Sequence, residues 1–99
     1  MPFEIDFSPE ANEHLDGFRK FDQTQILHSI EEQLIPDPLV ITRRKKEMRS
    51  NLLATRELRT GDFRIYYDVD VQRRVVLIRA IGHKLHNRIF IAGQEVDLP

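Results

Sequence analysis

The feature that most constrains the fold is a pair of strand-like runs joined by a short polar turn in the second half of the chain. The run FRIYYDVD at 63–70 alternates apolar and polar residues, which is typical of a strand with one buried face. The run RVVLIRAI at 74–81 is apolar on both faces, as expected of a strand in the middle of a sheet. Only VQR separates the two runs, so they predict an antiparallel hairpin.

The alternation also assigns side chains of the first run to the two faces of the sheet. We expect Arg64 and Tyr66 on the outer face, where an exposed tyrosine can stack on a nucleic-acid base. The opposite, buried face is expected to receive Phe63, Ile65, Tyr67 and Val69.

The first third of the chain predicts a strand followed by two helices. FEIDF at 3–7 alternates like a strand, and Ser8 and Pro9 form a typical helix start. We expect Asp22 to cap a second helix, with Gln25 as its capping-box partner. PDP at 36–38 should end this helix, and the two helices should form a hairpin packed on the sheet.

The remaining segments complete an α+β pattern. RRKKEMRSN at 43–51 has no clear period and is interpreted as a loop, whereas TRELR at 55–59 predicts a short strand. NRIFIAG at 87–93 indicates one more strand or a terminal arm. The 99 residues are expected to form one domain, 1–99, with an N-terminal strand at a sheet edge, a two-helix hairpin and an antiparallel sheet of three to four strands.

Charge is distributed unevenly along the chain. The net charge is only −1, but residues 40–90 hold 13 Lys/Arg against 5 Asp/Glu, and the remainder holds 2 against 11. Folding can therefore place a basic half of the molecule on one face, where it would attract a polyanion. There are no cysteines, no run of apolar residues long enough to span a membrane and no basic-then-apolar start, so we expect a cytoplasmic protein without a membrane partner.

The segment AIGHKLHNRIF at 80–90 crowds titratable side chains beside apolar ones. Three interpretations are open: a metal site, a nucleic-acid site with acid–base chemistry, or a solvated turn between strands. His83 and His86 could converge on a metal ion, but no third ligand stands at a usable spacing, so no metal is expected. As a structural alternative, these histidines would only hydrogen-bond a loop or face solvent, and Arg64 would pair with an acid such as Glu57.

The order of elements, the hairpin ELRTGDFRIYYDVD and the strand VVLIRAIGHK resemble the RelE/ParE superfamily of toxins from bacterial type II toxin–antitoxin systems. The resemblance runs from about Phe3 to Phe90 and is strongest over 57–88. It implies the same α+β fold. It also implies one of two activities, because RelE-type members cleave messenger RNA on the ribosome whereas ParE-type members inhibit DNA gyrase.

RelE-type cleavage needs no metal or other cofactor: a 2′-hydroxyl attacks the adjacent phosphate, assisted by a base, an acid and cations. By resemblance, Arg64 would contact the scissile phosphate and Lys84 would be a second cation, with His83 or His86 moving protons. The chain departs from the RelE pattern at Thr55 and Glu57, where lysines are common, and at Phe90, where a tyrosine is common. Further RNA contacts are expected from basic and aromatic side chains at Arg43, Lys45, Arg56, Arg59, Tyr66, Arg79 and Arg88.

The sequence thus predicts a toxin that acts as a metal-independent mRNA endoribonuclease, with or without the ribosome. Two alternatives stay open: a non-catalytic gyrase inhibitor, and an interaction domain without toxicity. The expected partners are RNA and a cognate antitoxin protein, which would cover the basic segment in a hetero-oligomer.

Overall fold

The computed structural model describes residues 2–98, and within them the chain forms two helices and seven strands. The helices are α1 (Pro9–Asp16) and α2 (Lys20–Leu34). The strands are β1 (Glu4–Phe7), β2 (Lys45–Glu47), β3 (Arg56–Thr60), β4 (Phe63–Asp70), β5 (Val75–Leu85), β6 (Arg88–Ile91) and β7 (Gln94–Val96). No helix within this range is long and apolar enough to cross a membrane.

The sheet is organised around β5, which has 11 residues. Strands β2 to β7 lie in sequence order and pair antiparallel, so β4 covers one edge of β5 along most of its length. Two strands share the other edge: β1 pairs in parallel with 75–78, and β6 pairs with 83–85. The predicted α+β class is confirmed, with the N-terminal strand at an edge and more strands than expected.

Side chains of α1 and the residue before it occupy the gap that β1 and β6 leave on this edge. The Ser8 hydroxyl donates to the carbonyl oxygen of Arg79 over 3.1 Å, and the amide of Ile81 donates to Nδ1 of His14 over 3.2 Å. The backbone of β5 is therefore satisfied by side chains where no strand lies beside it.

The two helices cover one face of the sheet, here called the helix face. Ile65 and Tyr67 are fully buried there, as the alternation predicts, and the Tyr67 hydroxyl donates to the Pro38 carbonyl over 3.0 Å. The buried core of the helix face consists of Phe3, Ala11, Ile26, Ile30, Leu34, Leu58, Ile65, Tyr67, Val76, Ile78 and Ile81.

The start of α1 is as predicted, whereas the start of α2 is not. Ser8 accepts a hydrogen bond from the amide of Ala11 over 3.1 Å, which caps α1. Helix α2 begins at Lys20, so Asp22 lies inside its first turn and pairs with the preceding Arg19 over 3.1 Å instead of capping. Helix α2 ends at Leu34, just before the predicted stop.

Two short strands appear where the sequence pattern gives no signal. Lys45–Glu47, within the segment interpreted as a loop, pairs with 56–58 of β3. Gln94–Val96 pairs with 89–91 of β6. Both elements are three residues long and exist because a neighbouring strand offers hydrogen bonds, which a pattern of side chains does not reveal.

Candidate functional site

The face of the sheet opposite the helices, here called the outer face, carries a second and smaller core. Tyr66 lies at its centre with no exposed surface, so the prediction that it stands free to stack on a base is wrong. Met48, Leu53, Ile89, Val96 and Leu98 pack over this core. They come from the loop after β2 and from β6, β7 and the residues that follow, none of which the alternation of β4 could reveal.

Gly82 allows the C-terminal strands to fold over the outer face. It pairs with Arg64 in the β4–β5 register. A Cβ atom at this position would lie 2.5 Å from the carbonyl oxygen of Phe90 and 2.8 Å from Cγ1 of Ile91. Only a residue without a side chain lets β6 approach so closely.

Beside the covered tyrosine the outer face opens into a cleft of about 650 Å³. This volume lies within the range of roughly 300–1,000 Å³ that is usual for ligand sites. Five cations, two carboxylates and three apolar side chains line it: Lys46, Arg49, Arg59, Arg64 and Lys84; Glu47 and Glu57; Met48, Ile89 and Leu98.

Arg64 is held in this cleft by the turn that precedes β4. Its Nη1 donates to the carbonyl oxygens of Gly61 and Phe63, over 2.8 and 2.9 Å, and the residue is 7% exposed. Gly61 has φ of 55°, which lets the chain turn tightly and aim its carbonyl at the guanidinium. The guanidinium is thereby oriented by neutral acceptors and keeps its full charge for an anion.

The alternative in which Arg64 pairs with Glu57 is wrong. The Glu57 carboxylate instead accepts from Nε of Arg59 over 2.6 Å. Within residues 2–98, Arg64 forms no ion pair with any carboxylate. The charge pairing of Glu57 is thus local to β3.

Lys84 approaches the cleft from β5. Its amide donates to the carbonyl oxygen of Asp62 over 2.7 Å, which extends the β4–β5 ladder and fixes the backbone beside the turn. Its ammonium group forms no ion pair with any described residue. Arg64 and Lys84 therefore meet at one cleft, as expected, and both have charge to offer.

His83 does not join them. Its side chain lies on the helix face, stacked on Phe90 with ring centroids 5.7 Å apart and edge-on to Phe18 at 6.3 Å. It lines a different cavity, together with Glu13 and His14 of α1. Adjacent residues of a strand point to opposite faces, so His83 is turned away because Lys84 is turned in.

His86 lies outside the cleft as well. It forms the turn between β5 and β6 with Asn87, and their φ angles are 52° and 64°. Such a turn suits a tight hairpin and leaves the imidazole exposed. Here the interpretation as a solvated turn agrees with the geometry better than a shared acid–base site.

Two predicted RNA-contacting residues have structural partners instead. Lys45 is 5% exposed, and its Nζ donates to the carbonyl oxygens of Gln33 and Asp37, over 3.0 and 2.8 Å. Burial lowers the pKa of Lys45, an effect that the nearby Asp37 carboxylate partly offsets. Arg56 donates to the Leu39 carbonyl over 3.1 Å. Lys45 pairs with Leu58, and Arg56 lies two residues before Leu58 on β3, so both side chains lie on the helix face with Leu58. Neither of them lines the cleft.

The other predicted contacts are dispersed over the surface. Arg79 pairs with Asp68 over 3.6 Å, and Arg88 pairs with Glu95 over 3.3 Å. Arg43 is exposed in the loop before β2. Of the expected RNA-binding set, only Arg59 lines the cleft.

The structure adds residues that the sequence pattern missed. Lys46 and Arg49 bring charge from the segment interpreted as a loop, and Glu57 brings a carboxylate. In the sequence these two cations were indicated by the cluster of basic residues at 43–49. The face on which Lys46 lies follows from its pairing with Glu57, which the sequence pattern does not show. Within residues 2–98 no three His, Asp or Glu side chains converge as a metal site would require.

Electrostatics around Tyr66 reflect its burial beside the cleft. Its hydroxyl makes no hydrogen bond of normal geometry with a described residue. Burial, followed by the neighbouring Glu57 carboxylate, raises the pKa of Tyr66 well above its usual range. The phenol is therefore neutral at physiological pH and is screened from a ligand in the cleft.

Comparison with known proteins agrees with this architecture. The chain matches a family model described as "ParE toxin of type II toxin-antitoxin system, parDE" over residues 5–88. It also resembles a chain in the crystal structure of the toxin–antitoxin complex RelBE2 from Mycobacterium tuberculosis, with a TM-score of 0.74 and 24% identity over 85% of this chain and 100% of that chain. At this identity the structural likeness concerns the fold.

No curated protein matches the chain significantly. The family match nevertheless spans most of the chain, from β1 to the start of β6, and it includes both Arg64 and Lys84. The chain therefore belongs to the ParE toxin family of type II toxin–antitoxin systems, within the RelE/ParE superfamily.

Proposed function

We propose that this toxin is a metal-independent endoribonuclease that acts on messenger RNA in the cytoplasm, with or without the ribosome. The observation that carries the proposal is the cleft in which Arg64, Lys84 and three further cations converge against only two carboxylates. Such an excess of fixed positive charge in a recess suits a phosphodiester that gains negative charge as it reacts.

In the proposed reaction the 2′-hydroxyl of the RNA attacks the adjacent phosphorus, and the bond to the 5′-oxygen of the next nucleotide breaks. Glu57 accepts the hydroxyl proton, because it is the buried carboxylate beside the cations of the cleft. Lys84 donates a proton to the departing 5′-oxygen, and Arg64 stabilises the pentacoordinate phosphorus. The products are a 2′,3′-cyclic phosphate and a free 5′-hydroxyl.

In this proposal Glu57, and not His83 or His86, is the general base. His83 faces the helices, and His86 lies in an exposed turn. Arg59 has a positioning role, since its Nε holds the Glu57 carboxylate at 2.6 Å. The departure from the RelE pattern at residue 57 thus becomes part of the proposed chemistry.

A second candidate, inhibition of DNA gyrase without catalysis, is favoured by one specific observation. Among residues 2–98 no imidazole lines the cleft, and the nearby phenol of Tyr66 is buried. A cleft whose ionisable side chains are those of Arg, Lys and Glu also suits a surface that binds an acidic protein segment or a DNA backbone. The description of the matched family is consistent with this candidate.

An acidic segment of the cognate antitoxin is the proposed physiological cover of the cleft. Arg64 and Lys84 form no ion pair within the described chain, so carboxylates of a partner can occupy the phosphate positions. The affinity of the complex should then fall as salt rises, through the electrostatic part of the binding.

Expression of the chain alone, with mapping of RNA ends and of gyrase-linked DNA breaks, separates the two candidates. Ribonuclease activity predicts new 5′-hydroxyl ends that persist in a strong chelator. The Arg64→Ala variant should lose about 10²–10³-fold of that cleavage, the usual effect of removing one preorganised donor. Arg73→Ala is the matched control, because Arg73 is an exposed arginine in the turn between β4 and β5 and does not line the cleft. DNA breaks without RNA ends would instead establish the gyrase candidate.

A further inference from the structure

The apolar wall of the cleft is not explained by phosphate binding. Met48, Ile89 and Leu98 lie on the cleft surface that also carries Arg64 and Lys84. Phosphate and carboxylate groups gain nothing from aliphatic carbon. A ligand that uses the whole cleft must therefore join an anionic part to an apolar part.

Two of these three residues belong to the C-terminal segment that folds over the outer face. Ile89 lies on β6, and Leu98 follows β7. Both lie beyond residue 88, where the match to the family model ends. The segment is anchored, because Ile89, Val96 and Leu98 pack on the core around Tyr66. The wall is thus a built surface, and its position is fixed by the close approach of β6 to Gly82.

We propose that Ile89 and Leu98, with Met48, form a nucleobase subsite that selects among RNA sequences at the nucleotide bound to Arg64 and Lys84. The inference rests on the proposed function and extends it from the phosphate to the base. A nucleotide carries a flat, largely apolar ring one ribose away from its phosphate, which matches a cleft with cations on one side and aliphatic carbon on the other.

The charge distribution suits a nucleotide, whose phosphate would meet the cations, better than a wholly apolar ligand. The wall is continuous with five cations, and Arg64 has its remaining N–H groups available because only Nη1 is bound to carbonyls. Aliphatic surface discriminates bases by ring size and stacking area, not by hydrogen bonds. We therefore expect purines to be preferred over pyrimidines.

Binding, measured without cleavage, tests the subsite. The folded protein would be titrated with ribose 5-phosphate and with AMP, GMP, CMP and UMP, and the amide and methyl shifts followed by NMR. These probes share ribose and phosphate and differ in the base. We expect the purine nucleotides to bind about fivefold more tightly than ribose 5-phosphate, from the apolar area that the base buries. The shifts should include Ile89 and Leu98.

Variants test whether the apolar wall of the cleft causes the tighter binding of the nucleotides. Leu98→Ala should remove most of the advantage of the nucleotides over ribose 5-phosphate and leave ribose 5-phosphate binding unchanged. Arg64→Ala should weaken the binding of every probe. Leu85→Ala is the control, because Leu85 is an exposed leucine of β5 outside the cleft. Ile89→Ala provides a second test if Leu98→Ala disturbs the C-terminal segment.

The outcomes separate this inference from the proposed function. Equal binding of nucleotides and ribose 5-phosphate, or an undiminished nucleotide advantage in both Leu98→Ala and Ile89→Ala, would overturn the base subsite and leave phosphate binding intact. Absence of binding by every probe would overturn both. A purine advantage that Leu98→Ala abolishes and Leu85→Ala retains would establish the subsite.

Discussion

Two neighbouring tyrosines show how differently the two faces of this sheet are built. Tyr66 and Tyr67 are adjacent on β4 and both fully buried, yet one points to the outer face and the other to the helix face. The Tyr67 hydroxyl donates to the Pro38 carbonyl over 3.0 Å. The Tyr66 hydroxyl makes no comparable bond with a described residue.

The difference reflects what covers each face. Two helices give the helix face a continuous cover, and eleven buried residues form its core. The outer face is covered by a loop and short strands, and its buried core has four members: Ala54, Tyr66, Ala80 and Ile91. The smaller cover leaves room for the cationic cleft, so the face with the smaller core carries the candidate site.

The largest expected effect comes from truncating matched isoleucines on the two faces. Ile65→Ala on the helix face should lower the free energy of unfolding by about 2–5 kcal/mol, because its cavity cannot collapse within a closed core. Ile91→Ala on the outer face should cost less, since Ile91 is 9% exposed and its smaller core can relax more easily, whereas Ile65 has no exposed surface. Urea denaturation of both variants measures the difference. Equal losses would contradict the comparison of the two faces.

Gly82→Ala should uncover the outer face. The added methyl group would overlap the Phe90 carbonyl, so β6 must move and the cover over Tyr66 should loosen. We expect a loss of about 1–3 kcal/mol, as for overpacked sites. Hydrogen exchange should increase at 88–98 and change little in α2. Uniform exchange changes throughout the chain would show that the two faces do not behave separately.

Removing each tyrosine hydroxyl gives a smaller contrast. Tyr67→Phe should cost about 1 kcal/mol, since the Pro38 carbonyl loses its donor. Tyr66→Phe should be nearly neutral, because its hydroxyl has no bond of normal geometry to lose. Thermal unfolding at neutral pH measures both variants. A substantially destabilised Tyr66→Phe protein would reveal a hydroxyl partner on the outer face.

The same pair predicts how stability depends on alkaline pH. Burial raises the pKa of Tyr67 to about 12 and that of Tyr66 further, whereas an unfolded tyrosine titrates near pH 10. The unfolded chain therefore releases protons first, and stability should fall as pH rises above about 10, by up to about 1.4 kcal/mol per pH unit for each tyrosine. Tyr67→Phe should reduce this slope up to about pH 12. Comparing variants cancels the contribution of Lys45, whose lowered pKa acts in the opposite direction.

A local effect concerns the gap on the edge of β5. His14→Ala should cost about 0.5–1.5 kcal/mol, because the Ile81 amide loses its acceptor. His14→Asn, whose amide oxygen can also accept, should recover part of this loss. Exchange protection of the Ile81 amide provides the measurement, and unchanged protection in His14→Ala would exclude the bond as its source.

Features that depend on neighbouring residues could be predicted from the sequence, and features that depend on distant residues could not. Periodicity predicted β4 at its observed bounds and placed Ile65 and Tyr67 correctly, because alternation is a local property. The charge pattern and the family resemblance pointed to Arg64 and Lys84 as members of one site, and both residues line the same cleft. The separation of His83 from Lys84 follows from the strand extending through residue 85, beyond the predicted end at 81, so that the two side chains point to opposite faces. The burial of Tyr66 depends on what folds over the outer face, and that information lies in distant residues such as Gly82 and Leu98.

The parallel pair of β1 and β5 has a consequence for how the protein folds. Residues 4–7 find their strand partner only at 75–78, so the N-terminal strand must wait until most of the chain has been made. Long-range pairing of this kind raises contact order and slows folding. Because β5 also carries Lys84 and supports β6, the same strand completes both the core and the cleft. A chain interrupted before this strand would have neither, so the core and the cleft should form together.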